Sequence, residues 1–290
     1  MTELLQAVVN GLQMGALYAL VAVGLAIIWG LMEMVNFAHG EFMMLGMFGA
    51  WWLSSTLGLD PLIAMVPIAL VMYGLGVVVY TQLMRRVQRG DVFAQIFATV
   101  GLLLFLQNTV VAGFTSDYRF VSDTVLARLS GVNIDLFGIR LGLPLLIAGL
   151  IGLALFILLY LLIDRTEIGL SLQATSEDRE AAMLVGIHPR RMFAMAWGLG
   201  AALVAVAGVI LANFFSVYPQ VGLQFTVLAY AIVALGGFGS ILGTLIAALL
   251  VGVVQSVTVV YLAPAFKDAF VFGSYLLIGL ARPQGLFGRF

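Results

Sequence analysis

The chain contains no cysteine, one lysine and two histidines in 290 residues, and only 9% of its residues are charged. Lack of cysteine excludes disulfides, thiolate metal sites and cysteine catalysis, and leaves the compartment open. So few charges cannot tile a water-soluble surface, which typically carries about 25% Asp, Glu, Lys and Arg. A net charge of −1 offers no basic field for nucleic acid. The lysine, Lys267 in APAFKDAF, follows no glycine run. The turn-plus-lysine of a nucleotide-binding P-loop is therefore missing. Two histidines are also too few for the clustered His, Asp and Glu of a membrane-embedded enzyme.

What is present is apolar. Hydrophobic residues make up 63% of the chain and mean hydropathy is +1.13. A membrane span needs about 20 predominantly apolar residues. Such runs fall at roughly 7–31, 41–58, 62–84, 92–113, 142–163, 193–215, 225–261 and 266–281. They are too long and continuous for barrel strands, which alternate over about 10 residues. The expected fold is all-α: a polytopic transmembrane helical bundle of roughly eight spans, forming one domain over 1–290. MTELLQAVVN has no basic region, so 7–31 reads as a retained span rather than a cleaved signal.

Three hydrophilic stretches interrupt the runs: Arg85, Arg86 and Arg89; residues 114–141, where Arg119, Arg128 and Arg140 mix with Asp117, Asp123 and Asp135; and 164–192, with Arg165, Arg179, Arg190 and Arg191. Positive charge in short loops marks the cytoplasmic side. Placing 85–89 and 164–192 inside puts 114–141 outside. Residues 225–261 as one helix would be ~55 Å long, against a hydrocarbon core of ~30 Å. A break is expected at GGFGS, whose glycines weaken helix, leaving open a hairpin or a re-entrant loop. That break also returns the C-terminus, with Arg282 and Arg289, to the cytoplasmic side.

The N-terminal half has a break of its own. LMEMVNFAHGE (31–41) sets Glu33, Asn36, His39, Gly40 and Glu41 between two apolar runs. Transporters often carry such breaks at corresponding places in two repeats, with the pathway between them. FAHGEFMMLG and GGFGSILGTL are candidates, though their sequences are only weakly alike. A metal site is disfavoured, because His39 and Glu41 would point differently on a helix and no third ligand is near. Two compatible roles remain for Asn36, His39, Gly40 and Glu41. Asn36 or His39 can cap a helix starting near Gly40, with Glu41 in its first turn. Alternatively the break, with Gly236, Gly237, Gly239 and Ser240 in the other half, lines the pathway or its gate. Gln107, Asn108, Asn213, Tyr230 and Gln255 within spans read first as interhelical hydrogen-bonding groups.

The 164–192 loop reads DRTEIGLSLQATSEDREAAMLVGIHPRRM. Thr175 or Ser176 could cap a short helix, with Glu177 and Asp178 in its first turn. Ala181, Ala182, Leu184 and Val185 would supply an apolar face, and Gly186 would end it ahead of Pro189. Such a surface suits docking into a partner's groove; a solvated linker is the plainer reading.

Glu180-Ala181-Ala182-x-x-x-Gly186 resembles the EAA-x-x-x-G signature of ABC importer permeases, the loop on which such permeases dock their ATPase. VNFAHGEFMMLG (35–46), the loop ending in EAAMLVGI, LGGFGSILGTLIAALL (235–250) and ATVGLLLFLQNTV (98–110) together resemble the permease subunit of branched-chain amino acid importers, of LivH type, over nearly the whole chain. The distal I-x-L-P of the general loop is absent; Ile187-His188-Pro189 stands close behind Gly186. The resemblance implies a multi-pass subunit of a bacterial inner (cytoplasmic) membrane. It implies ATPase coupling through Glu180, Ala181, Ala182, Gly186 and Ile187, and no cofactor in this chain, ATP being bound by partner ATPases. It also implies as partners a second related permease, two ABC ATPases, a periplasmic solute-binding protein and the lipid bilayer. The implied cargo is leucine, isoleucine and valine. A urea or short-chain amide ABC permease is the nearest alternative, and an ion-coupled secondary transporter, with Glu33 or Glu41 as coupling carboxylate, a more distant one.

Overall fold

The longest helix, α1 (Thr2–Met32), is apolar nearly all round, with every residue from Gly15 to Ile28 buried. A helix without a polar face belongs at the centre of a bundle, and α1 lies there. The computed structural model describes residues 2–88, 90–136 and 138–288. Arg89 and Arg289, two of the basic residues used above, lie outside the described residues. After α1 come α2 (His39–Leu57), α3 (Pro61–Val79, prolonged by a π turn at Tyr80–Met84 and by Arg85–Val87) and α4 (Val92–Phe114). A short hairpin, β1 (Asn133–Leu136) with β2 (Ile139–Gly142), precedes α5 (Leu143–Arg165). Two short helices follow, α6 (Glu167–Glu177) and α7 (Arg179–Leu184). The rest is α8 (Pro189–Leu211), α9 (Val221–Gly236), α10 (Ile241–Tyr261) and α11 (Lys267–Ala281). Seven of these helices are long and apolar enough to cross a membrane, and α9 is a shorter apolar one. This is a polytopic helical bundle.

The two ends of the bundle carry different furniture. At one end Gln6 pairs with the backbone of Arg140, donating to its carbonyl and accepting from its N–H, both at 2.7 Å. There too Asp60 caps α3 through Leu62 N–H at 2.8 Å and holds Val125 N–H at 2.6 Å, and Arg119 forms a bridge with Val217. At the other end lie the close of α1, the close of α5, α6, and the turn between α9 and α10. The C-terminal segment is pinned at that end, where Leu286 N–H donates to Leu235 O at 2.8 Å and Phe287 N–H to Gly236 O at 3.1 Å.

Close helix crossings reveal an internal two-fold relation. α1 crosses α8 at Gly24 and Gly200, where a Cβ on Gly24 would meet the Gly200 carbonyl oxygen at 2.7 Å. α2 meets α9 at Gly40 and Gly222, each with its partner's backbone against it. α1 packs on α10 through Gly15 and Ala248, as α8 packs on α3 through Gly198 and Gly76. So α1–α4 corresponds to α8–α11. Because the single span α5 separates them, and because α1 begins at the end where α8 finishes, the halves are inverted with respect to each other.

This corrects the pairing of breaks expected from glycine content. The counterpart of the 33–38 break is 212–220, the non-helical stretch between α8 and α9, and not 236–240. Residues 237–240 form a tight helical hairpin turn, with Gly237 and Gly239 at φ +98° and +80°. Such conformations favour glycine. Ser240 Oγ then caps α10 by accepting from Gly243 N–H at 3.1 Å. The break expected at GGFGS is present, and it is a hairpin.

Candidate functional site

The polar residues of the first break gather at the centre of the bundle. α1 ends as Glu33 takes a left-handed conformation, φ +53°, and the chain runs non-helically to Ala38. Asn36, His39 and Glu41 are at most 1% exposed. Buried this deeply, each freed backbone group needs a hydrogen-bond partner. Asn36 N–H donates to Tyr230 Oη at 2.6 Å, Ala38 N–H to Asn36 Oδ1 at 3.1 Å, and Gly40 N–H to Thr226 Oγ1 at 2.9 Å. The cap on α2 therefore differs from the expected one. Ala38 is its N-cap residue without a side-chain cap, and neither Asn36 nor His39 caps the helix. His39 lies inside α2 and its Nε2 bonds Val21 O of α1 at 2.8 Å. α9 supplies the missing acceptor through Thr226, because the Gly40–Gly222 contact brings the two helix starts together.

Glu41 stands in the first turn of α2, as expected, and also beside the start of α9. A Cβ on Gly222 would lie 2.9 Å from its Oε1. Two helix N-termini, both carrying partial positive charge, thus face one carboxylate. Gln107 Nε2 of α4 donates to Oε1 at 3.1 Å. Glu41 Oε2 and Asn36 Nδ2 are buried without a protein partner among the described residues. Tyr230→Phe removes the acceptor for Asn36 N–H. Leaving a buried donor unpaired costs about 1–3 kcal/mol, so the purified variant is expected to melt several degrees below the native chain.

Gly236, Gly237, Gly239 and Ser240 do not join this cluster. Gly239 and Ser240 line a separate cavity of about 860 Å³ at the end of the bundle, among Trp29, Glu33, Tyr160, Gln173, Glu177 and Phe238. Trp29 and Phe238 stack there with ring centres 4.6 Å apart. Glu33, the other candidate coupling carboxylate, lines this cavity rather than the centre.

The 164–192 segment projects from that same end. Its helices are divided differently from the expected single turn. α6 runs through Thr175 and Ser176, so neither is a cap; Thr166 caps α6 by accepting from Gly169 N–H at 3.2 Å. Asp178 caps α7, accepting from Glu180 N–H at 2.8 Å and Ala181 N–H at 3.0 Å. A carboxylate at that position outcompetes the hydroxyls because it both accepts two N–H groups and opposes the helix dipole. Gly186, at φ +86°, closes α7, and Ile187 N–H returns to Ala182 O at 3.0 Å. Ala182 is buried, while Glu180, Ala181 and Gly186 are exposed. Beside them Met183, Leu184 and Val185 stand 55%, 88% and 76% exposed. Three adjacent apolar side chains held outside the bundle by a capped helix form a surface that lacks its cover.

Thr226 and Gly222 are the central residues that reading the sequence did not single out. A threonine or glycine in an apolar run carries no signal of its own; only the Gly40–Gly222 crossing shows what they do. Of the polar residues expected to bond between helices, Gln107 does so to Glu41 and Gln255 to Asp268 Oδ1 at 3.2 Å. Tyr230 instead holds the non-helical break, and Asn108 and Asn213 turn back onto carbonyls three or four residues before them.

Comparison with known proteins gives matches over nearly the full length of the chain. The family model for the permease component of the branched-chain amino acid transport system matches residues 7–279. The chain is 30% identical to the high-affinity branched-chain amino acid transport system permease protein BraD of Pseudomonas aeruginosa, over 98% of this chain and 96% of the relative. It is 30% identical to the permease protein LivH of Escherichia coli K12, with the same coverage. It is 28% identical to a probable branched-chain amino acid transport permease LivH of Methanocaldococcus jannaschii, over 88% of this chain and 81% of the relative. No solved structure matches.

Proposed function

The chain belongs to the branched-chain amino acid transport permease family, and from that premise we propose that it forms part of the transmembrane conduit of an ATP-driven importer of leucine, isoleucine and valine. The observation that carries this reading is the full-length kinship together with the exposed, capped α7 of sequence REAAML. In this reading Glu180, Ala181, Ala182, Gly186 and Ile187 meet an ABC ATPase. ATP-driven closure of two such subunits moves α6 and α7, and through Leu172, buried against the bundle, rocks the helices. A second related permease completes the conduit and a periplasmic binding protein selects the solute. In this reading the 164–192 segment and the C-terminus, at the same end of the bundle, face the cytoplasm, a side that the arginine bias supports. The 33–38 break, with its partner break at 212–220, supplies the inverted pair of irregular segments about which the two halves move.

The test is reconstitution. The chain, copurified with its partners in proteoliposomes enclosing ATP, is expected to take up leucine when the binding protein is supplied outside, and to take up none without ATP. Uptake of urea in place of leucine would move the substrate to short amides.

A further inference from the structure

α4 is the helix this fold leaves least explained. Its inner stripe, Gln95, Thr99, Leu102, Leu106 and Val110, is buried. Its outer stripe reads Gly101, Leu104, Phe105, Asn108, Thr109 and Ala112, spaced along one helix face. Other outward faces are what lipid demands: on α3, Ile63, Val66, Leu70 and Val71 are each at least 65% exposed and wholly apolar. α4 instead turns a carboxamide and a hydroxyl outward. Asn108 and Thr109 lie six and five residues before the helix ends at Phe114, about 9 Å inside the span. Asn108 Nδ2 donates only to Leu104 O of its own helix, at 2.7 Å, and Thr109 Oγ1 to Phe105 O, also at 2.7 Å. The neighbouring Gln107 turns inward to Glu41, so the polar pair is not an extension of the central network. A shallow groove of about 510 Å³ runs over Leu104, Phe105, Asn108, Thr109 and Ala112.

A polar side chain facing hydrocarbon is rare, and those within spans face protein or water. We propose that the outer face of α4 around Asn108 and Thr109 is a hydrated wall of the solute pathway, and that this wall contacts the transported amino acid. The chemistry fits a zwitterion with an aliphatic side chain. The carboxamide has a free N–H and a carbonyl for the polar end, and Leu104, Phe105 and Ala112 give an apolar strip beside it. The hydration of the face stands on the side chains alone; the identity of the solute rests on the proposed function.

The natural chain has no cysteine, so label found on this chain after the subunits are separated reports the introduced cysteine alone. Asn108→Cys, Thr109→Cys and, as a lipid-facing control, Leu70→Cys are placed in the complete assembly in membrane vesicles and exposed to a charged, membrane-impermeant methanethiosulfonate. All three sites are exposed in this chain, and Thr109→Cys removes only a methyl group while exchanging the hydroxyl for a thiol. The thiolate that reacts forms in water and not in hydrocarbon, so residues 108 and 109 should label at least ~10-fold faster than residue 70. Leucine with ATP should slow that labelling. Labelling at 108 and 109 as slow as at 70 overturns the proposal. Fast labelling that urea slows and leucine does not supports the hydrated wall and overturns the leucine reading alone.

Discussion

Replacing Gly186 by glutamate is expected to abolish ATP-driven uptake while the chain stays folded in the membrane. Gly186 sits at φ +86° with nothing within 4 Å of a Cβ built on it. No clash follows, but an L-residue in a left-handed conformation costs about 1–2 kcal/mol. The turn relaxes, and with it the direction of Met183, Leu184 and Val185, while a carboxylate enters beside that apolar surface. The damage stays local because Ala182 is the buried residue of α7 and Arg179, over the Phe193 ring at 4.9 Å, lies at the far end of the helix from Gly186. The melting temperature of the purified variant should therefore fall by no more than a few degrees, while uptake in vesicles should vanish. Gly186→Asn separates the two causes. Asparagine tolerates the left-handed region and adds no charge, so it should keep most of the uptake. Normal uptake by Gly186→Glu would contradict the coupling role.

The second large effect is expected at Gly40. A Cβ there would fall on the Gly222 carbonyl oxygen and on Thr226 Oγ1. Both belong to α9, and the carbonyl is backbone that cannot swing aside. Gly40→Val must push the two helix starts apart, breaking the 2.9 Å bond from Gly40 N–H to Thr226. Overpacking of this kind typically costs 1–3 kcal/mol and sometimes more; with a buried N–H left unpaired, about 3 kcal/mol or more is expected. The variant should aggregate when extracted in mild detergent. Gly74→Ala on α3, where nothing lies within 4 Å, should be neutral or slightly stabilising, since alanine is the better helix former. Equal behaviour of the two variants would remove Gly40 from the architecture argued here.

These two glycines show what could be read in advance. Gly186 was legible, because a glycine closing a short amphipathic helix ahead of Pro189 has a local reason. Gly40 was legible only as part of a break, since its reason is the backbone of Gly222, 182 positions away in the chain. The apolar runs located the spans well. Their ends moved where side chains outvote hydropathy: the run 193–215 corresponds to α8 (Pro189–Leu211). Proline starts it four residues early, and it stops where Asn213 Nδ2 folds back onto Val209 O and Ile210 O at 3.3 and 3.0 Å. The inverted repeat was hidden for a similar reason. GGFGS advertises itself by its glycines, whereas ANFFSVYPQ (212–220), the true counterpart of the first break, has only Pro219 and four side-chain amides or hydroxyls of note. Irregular backbone held by tertiary contacts leaves little mark on composition.

The most direct test of the central claim is to purify the tagged chain from its native membrane in mild detergent and identify what accompanies it by mass spectrometry, alongside Gly186→Glu. A conduit driven through α7 predicts P-loop ATPases with the native chain and their loss from the variant. Recovery of the native chain alone, with uptake that collapses when the ion gradient is dissipated, would contradict it and shift attention to Glu41 as the coupling group.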